Sequence, residues 1–570
     1  MSKVNKVKVA RGDKKAELVL KDCNIVNVFN CNIERADIAI EQGVIVGVGE
    51  YEGIKEIDVD GRYVCPGFID GHVHIESSLL TPPGFAQLVV AKGTTTVIED
   101  PHEIANVCGL DGIDYMLKAS EKLPLDVLVM LPSCVPSTNF ENSGAVLLAE
   151  DLGLMKDKKN ILGLGEVMNY PDVISGNKYV YDKLELMRNR IIDGHAPNVL
   201  GKRLNAYVTA GVMTDHECTK VEELEEKVSK GMYVHIREGS ATRNLEELIR
   251  GVTPQNSRRI LFCTDDKQAY DIENEGHINY NVKLAIKKGI NPVTAIQMAT
   301  INTAECYGLK GKGAIAPGYD ADILILSHEL KDIAINEVYK KGKLVAKNDK
   351  PLFDIEICSD PRVLDTVKID AIDKISLEMP LKSSIVKVIQ LIEHNIITKN
   401  VTRKVDVEND CFKYNSKLDI LKLAVIERHK GTGNVGLGLV EGYGLKGGAV
   451  ALTIAHDSHN IISIGDNDND MKVAVKELKR VKGGITICAE GKVLKTLPLE
   501  VGGLMTNSSI KEVGDRIKEM NKIAITKGVN PSIDPFLTLA FLALPVIPEL
   551  KLTDCGLFDV DKFSFVDIEE

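Results

Sequence analysis

Apolar runs and turn residues divide the chain into three stretches of different rhythm. Up to Arg62, short runs at Ala16 to Leu20, Asn24 to Phe29, Asp37 to Ile40 and Val44 to Val48 are punctuated by turn residues. That predicts a small β unit over residues 1–62. From Tyr63 the runs alternate with amphipathic stretches such as Thr219 to Lys230 and Leu245 to Arg250, the pattern of parallel strands joined by crossover helices. The first four runs are Tyr63 to Asp70, Thr94 to Asp100, Asp126 to Leu131 and Ile161 to Glu166. Ile191 to His195, Val212 to His216, Met232 to Arg237 and Arg259 to Thr264 follow. Eight βα units predict an α/β fold, a closed (β/α)8 TIM-like barrel over residues 63–312 with its chemistry at the C-terminal strand ends.

Asn291 to Tyr307 reads as a helix entered through Asn291-Pro292, proline being suited to a first helical turn. Gly313 to Leu326 returns to strand and Val338 to Val345 is hairpin-like, so residues 313–353 are expected to complete the first β unit. A third, α+β domain is expected over residues 354–570, with strands at Val450 to Ala455, Ile461 to Gly465 and Gly484 to Ala489. Its helices are expected at Met471 to Val481 and Ile510 to Lys527.

Polar residues gather where the barrel runs end. His72 and His74 follow the first run, and two residues of spacing in a strand puts both imidazoles on one face. Glu166 ends the fourth run, His195 the fifth and His216 the sixth, while Asp265 follows the eighth. Four histidines and two carboxylates are donors that Zn, Fe or Mn accept. One histidine at a strand end is ordinarily structural; six metal-type ligands at matching ends of five strands are a constellation.

Composition narrows the chemistry. Hydrophobic residues make up 44% of the 570 and charged residues 27%, with a net charge of -12; an acidic chain is a poor match to nucleic acid or an anionic membrane. No apolar run reaches the roughly 18 residues of a membrane span, and Met1-Ser2-Lys3-Val4-Asn5-Lys6 lacks the apolar core of a signal peptide. Twelve scattered cysteines without a Cys-x-x-Cys pair suggest reduced thiols in a cytoplasm. They also exclude the zinc deaminases of the Pro-Cys-x-x-Cys type.

Pro66-Gly67-Phe68-Ile69-Asp70-Gly71-His72-Val73-His74 resembles the opening motif of the amidohydrolase superfamily, and Pro317-Gly318-Tyr319-Asp320-Ala321-Asp322 the return strand of its split β-sandwich. Within that superfamily the chain resembles the adenine deaminases from end to end. The matching stretches include Asp100-Pro101-His102-Glu103, Gly165-Glu166-Val167-Met168-Asn169, Thr264-Asp265-Asp266, Ala455-His456-Asp457-Ser458-His459-Asn460 and Leu544-Pro545-Val546-Ile547-Pro548. The resemblance implies two divalent ions, Mn(II) or Fe(II) with Zn(II) as the other choice. His72, His74 and Asp265 would hold the more buried ion and His195 and His216 the more exposed one. Glu166 would bridge them in place of the carboxylated lysine of many relatives.

It also implies adenine as substrate and a homodimer. Asp265 would be the general base and then the general acid. Asn198 stands three residues after His195, where pyrimidine-deaminating relatives carry a glutamate, so the ring-protonating group must lie elsewhere. Glu103, oriented by His102, is the first candidate and Glu217 the second. Arg237 and Ser240 are candidate contacts to purine nitrogens, and Asp266 is expected to support a metal-bound histidine. Ion pairing is an equal account of Arg237 and Glu238.

Other signals are weaker. Gly431-Thr432-Gly433-Asn434-Val435-Gly436 fits a dinucleotide fingerprint, but polar residues separate it from the preceding strand and glycines stand where a helix should start. Asp466, Asp468 and Asp470 imitate a calcium loop without its glycine or closing glutamate. His456 and His459 suit a third metal site or a hydrogen-bonded loop. The rival activities are another amidohydrolase, opening a cyclic amide or removing an acetyl group, and an inactive barrel kept as a scaffold.

Overall fold

The computed structural model describes residues 3–369, 372, 375–393 and 395–569; Met1 and Ser2, which open the N-terminal stretch discussed above, lie outside them. Eight parallel strands curl around one axis. In chain order they are Phe68–Val73, Thr94–Glu99, Asp126–Leu131, Ile161–Val167, Ile191–Gly194, Thr214–Asp215, Tyr233–Arg237 and Ile260–Cys263. The first five pair consecutively and so do the last three. Met213 N–H to Ile192 O at 3.0 Å joins the two arcs, and Asp265 N–H to His72 O at 3.0 Å closes the ring. Thr94–Glu99 is buried at every position; helices outside and packed side chains inside leave such a strand no polar face.

The first apolar run is two strands, not one. Tyr63–Pro66 pairs with Asn24–Ile25 and with Ile323–Ile325, in a nine-stranded sheet built from residues on both sides of the barrel. Gly67 is the switch: its N–H goes to Asp322 O at 2.9 Å, while that of Phe68 goes to Gly93 O at 3.0 Å. A Cβ there would lie 2.3 Å from Thr95 Oγ1. In the same sheet, the two expected strands between Ala16 and Phe29 are one, Ala16–Asn27, with a register shift between Leu20 and Cys23. Gly53–Asp58 adds a strand whose alternation is too polar to read from sequence. The helix expected over Asn291 to Tyr307 breaks at Thr300 into Pro292–Met298 and Ile301–Cys306.

Beyond these, the largest sheet of the described residues has eight strands with the helix Asp468–Val481 packed across it, beside smaller two- and three-stranded sheets. Gly431 to Asn434 is the turn between the antiparallel strands Ile420–Ile426 and Val435–Glu441. No helix follows, so the dinucleotide geometry is absent. The three aspartates are also accounted for: Asp466 accepts the Gly448 N–H at 3.0 Å and Asp470 that of Gly491 at 2.7 Å, with Asp468 opening the helix. Ser509 and Glu512 form a capping box at the start of Ile510–Thr526. No helix among the described residues is long and apolar enough to cross a membrane.

Candidate metal centre

Buried carboxylates set the strand ends before any ligand is considered. Asp70 accepts the N–H groups of His72 and Thr264, both at 3.2 Å, and the Thr264 hydroxyl at 2.5 Å. It thereby fixes the first strand to the last. Asp100 Oδ2 accepts the Glu166 N–H at 2.8 Å, and Gly165 leaves the room, since a Cβ there would lie 2.1 Å from that oxygen. Asp215, held by Lys227 at 2.9 Å, accepts the Ala196 N–H at 2.8 Å. These contacts aim His195 and His216 inward.

The six side chains converge. His72 and His74 face each other with Nε2 atoms 3.2 Å apart. Glu166 Oε1 is 3.3 Å from His74 Nε2 and 3.8 Å from His72 Nε2, while Oε2 is 2.6 Å from His195 Nδ1 and 3.3 Å from His216 Nε2. One carboxylate oxygen therefore serves each histidine pair. Asp265 Oδ1 lies 3.1 Å from His74 Nε2 and 3.6 Å from His72 Nε2.

The backbone decides which ring nitrogen faces the cluster. His74 Nδ1 sits 2.8 Å from the Asp100 carbonyl, so one ring proton is there and Nε2 is the nitrogen turned to the cluster. Burial, reinforced by His216 and His74, keeps His72 well below the usual histidine range and hence neutral. Burial opposes ionisation of Glu166, but His195, His216 and His74 outweigh it and hold the carboxylate well below its usual range. Against burial, the carboxylates in turn draw His74 and His195 above the usual histidine range and His216 up to about 9, so a divalent cation would bind there by displacing protons. Four imidazoles and two carboxylates that converge this closely are a fitting donor set for one.

Above the cluster lies a cavity of about 510 Å³, within the range of small-ligand sites. Arg237 lines it, donating to Asp265 Oδ2 at 2.7 Å and to Glu217; Glu217 thus neutralises the arginine that steadies Asp265. Glu103, Asn198 and Asp266 also line it, and Asp266 accepts the Ser77 hydroxyl rather than a histidine N–H. His102 stands 3.4 Å from Glu166 Oε1 and 3.6 Å from Glu103 Oε1. Ser240 is not part of the lining: its hydroxyl donates to Asp271 and accepts the Gln268 N–H at 2.9 Å. Glu238 lies off the cavity too, accepting the Leu245 N–H at 3.2 Å.

Comparison with known proteins agrees with this geometry. Residues 63–345 match the amidohydrolase family and residues 395–564 the adenine deaminase C-terminal domain. An adenine deaminase of Clostridium acetobutylicum is 53% identical over 565 residues, covering 98% of this chain and 99% of its own. One of Nitratidesulfovibrio vulgaris is 50% identical over 99% and 98%, and one of Geobacillus kaustophilus 47% over 99% of each. The chain belongs to the adenine deaminase family.

In this adenine deaminase family member the C-terminal domain closes the barrel mouth. Phe541, Leu544, Val546, Ile547 and Pro548 roof the cavity. His456 joins them, its ring stacked on Phe541 with centroids 4.5 Å apart. Phe541 escapes a sequence reading, because an apolar residue in an apolar run gives no sign that it faces a site. His456 and His459 gave a signal in their spacing, but nothing local says that both reach Glu103.

Proposed function

We infer that this chain hydrolyses adenine to hypoxanthine and ammonia, the reaction of a purine-salvage deaminase. The observation that carries the reading is Glu166 reaching both histidine pairs, one oxygen to each, beneath a cavity closed by the family's own C-terminal domain. Two divalent cations bound there would supply water acidified enough to be a nucleophile at neutral pH.

His72, His74, Glu166, His195, His216 and Asp265 are the residues that would hold the ions. Asp265 takes the proton of the attacking water at one oxygen and passes it to the amino group leaving C6. Arg237 holds the other oxygen and so keeps Asp265 pointed at the reacting carbon. Glu103 and His102 line the cavity beside the cluster and would serve the protonation of the purine ring, with the apolar roof excluding bulk water from that step.

The mixed nitrogen and oxygen donors support Mn(II) or Fe(II), with Zn(II) as the alternative ion. All twelve cysteines are free, which supports a cytoplasmic setting. We further propose a homodimer, to be checked by light scattering. The activity is tested by ammonia release from adenine, with adenosine, guanine and cytosine as competitors. Turnover of adenine alone is expected. Turnover of a cyclic amide without adenine would replace this reading with the amide-hydrolase one.

A further inference from the structure

One cluster of titratable groups stands apart from the strand-end ligands. Glu103, His456 and His459 are all buried, and they join the barrel to the C-terminal domain. His456 Nδ1 lies 2.7 Å from Glu103 Oε1, and His459 Nε2 bonds Glu103 Oε2. Their ligand atoms are close enough together to hold a metal, but the backbone points to another use. The Ala455 N–H faces His459 Nδ1 at 3.3 Å, so Nδ1 must accept and the ring proton sits on Nε2, directed at Glu103. A nitrogen that carries a proton has no lone pair for a cation.

Glu103 therefore accepts at both oxygens. Burial alone would favour its acid form, but His456, His459 and His102 outweigh burial and hold it well below the usual carboxylate range. Held as an anion, Glu103 has no proton to give a purine. His456 does. Its Nδ1–H is spent on Glu103, and no described residue hydrogen-bonds its Nε2. The ring lines the same cavity as His74, Glu166 and Asp265, with its plane set by Phe541.

We propose that His456 is the catalytic acid that protonates N1 of the purine through Nε2, with Glu103 and His459 as positioning residues; this rests on the adenine reading above. The water oxygen bonds to C6 while the C6–N1 π pair moves to N1 and takes the His456 proton. Asp265 carries one water proton to the exocyclic amine, the C6–N bond breaks with its electrons on nitrogen, and ammonia leaves. The second water proton recharges His456, and N1–H stays in the product.

The groups facing His456 are Glu103, Asp266 and Asp457, with the His459 ring 5.5 Å away centroid to centroid. Burial lowers its affinity for a proton, but Glu103 more than compensates, with help from Asp266 and Asp457, and carries it up to about 9. Burial pushes His459 down to about 4, so it is neutral at working pH. The acid form of His456 is thus present below about pH 9 and lost above it, and kcat should fall along an alkaline limb there.

The test compares the Mn(II)-loaded full chain with His456→Gln. The expected loss in kcat is about 10²- to 10⁴-fold, with KM and metal content unchanged, the alkaline limb gone and the melting temperature lowered because buried Glu103 loses a charged partner. His459→Gln should shift that limb rather than remove it. Added imidazole should restore part of the activity of His456→Ala. A His456→Gln variant within about fivefold of the parent with the same limb would overturn the proposal, as would a metal equivalent lost with the side chain. If the variant does not fold, a parent kcat profile that is flat through pH 9 overturns it instead. A parent chain inactive on adenine would sink the underlying reading, and the proposal with it, before any variant is made.

Discussion

The strand ends and the loop at His456 place the same residue types together, histidines against a buried carboxylate, yet they suit opposite chemistry. At the strand ends the Asp100 carbonyl takes the Nδ1 proton of His74 and leaves Nε2 as the nitrogen turned to the cluster, where a cation can replace its proton. In the loop the Ala455 N–H faces Nδ1 of His459 and forces the proton onto the nitrogen that meets Glu103. The first arrangement suits cations and the second suits proton transfer. A single backbone group, acceptor in one case and donor in the other, makes the difference.

Several substitutions break or sharpen that contrast. Asp265→Asn strikes the strand ends and leaves the loop untouched. It should lower kcat on the order of 10²- to 10⁴-fold while the His456 limb survives in the residual activity, measured across pH 6–10. A smaller effect is expected from Asp100→Ala, which removes the anchor of the Glu166 N–H but keeps every ligand. Metal affinity should weaken about 10- to 100-fold, read by chelator competition. Ser240→Ala touches neither region. Its hydroxyl serves Asp271 and Gln268, so kcat/KM for adenine should stay within about twofold and stability should drop by about 1 kcal/mol. A large KM effect there would mean that the substrate reaches beyond the cavity described.

Much of the barrel was legible because its period is mechanical. Most of the strands are buried runs rich in apolar residues, and a polar residue at the end has only the barrel mouth to face, so His72, Glu166, His195 and His216 could be located from spacing. The sixth strand, only Thr214–Asp215, is the shortest. What stayed hidden depends on partners distant in sequence. Cys65-Pro66-Gly67-Phe68 reads as one continuous strand, and only the close approach of Thr95 and the Asp322 carbonyl shows why it changes sheets at Gly67. The bond from Glu103 to His456 spans 353 positions. No local pattern encodes it. Ser240 fails for the converse reason: it ends a plausible strand, yet Asp271 on a neighbouring helix turns its hydroxyl away.

The central claim, a two-cation site bridged by Glu166, is tested most directly by titrating the metal-stripped chain with Mn(II) while following ammonia release from adenine. Activity should climb until two equivalents per chain are bound, and Glu166→Ala should neither bind the second equivalent nor turn over adenine. Full activity at one equivalent, or a Glu166→Ala variant that still binds two and works, would contradict it.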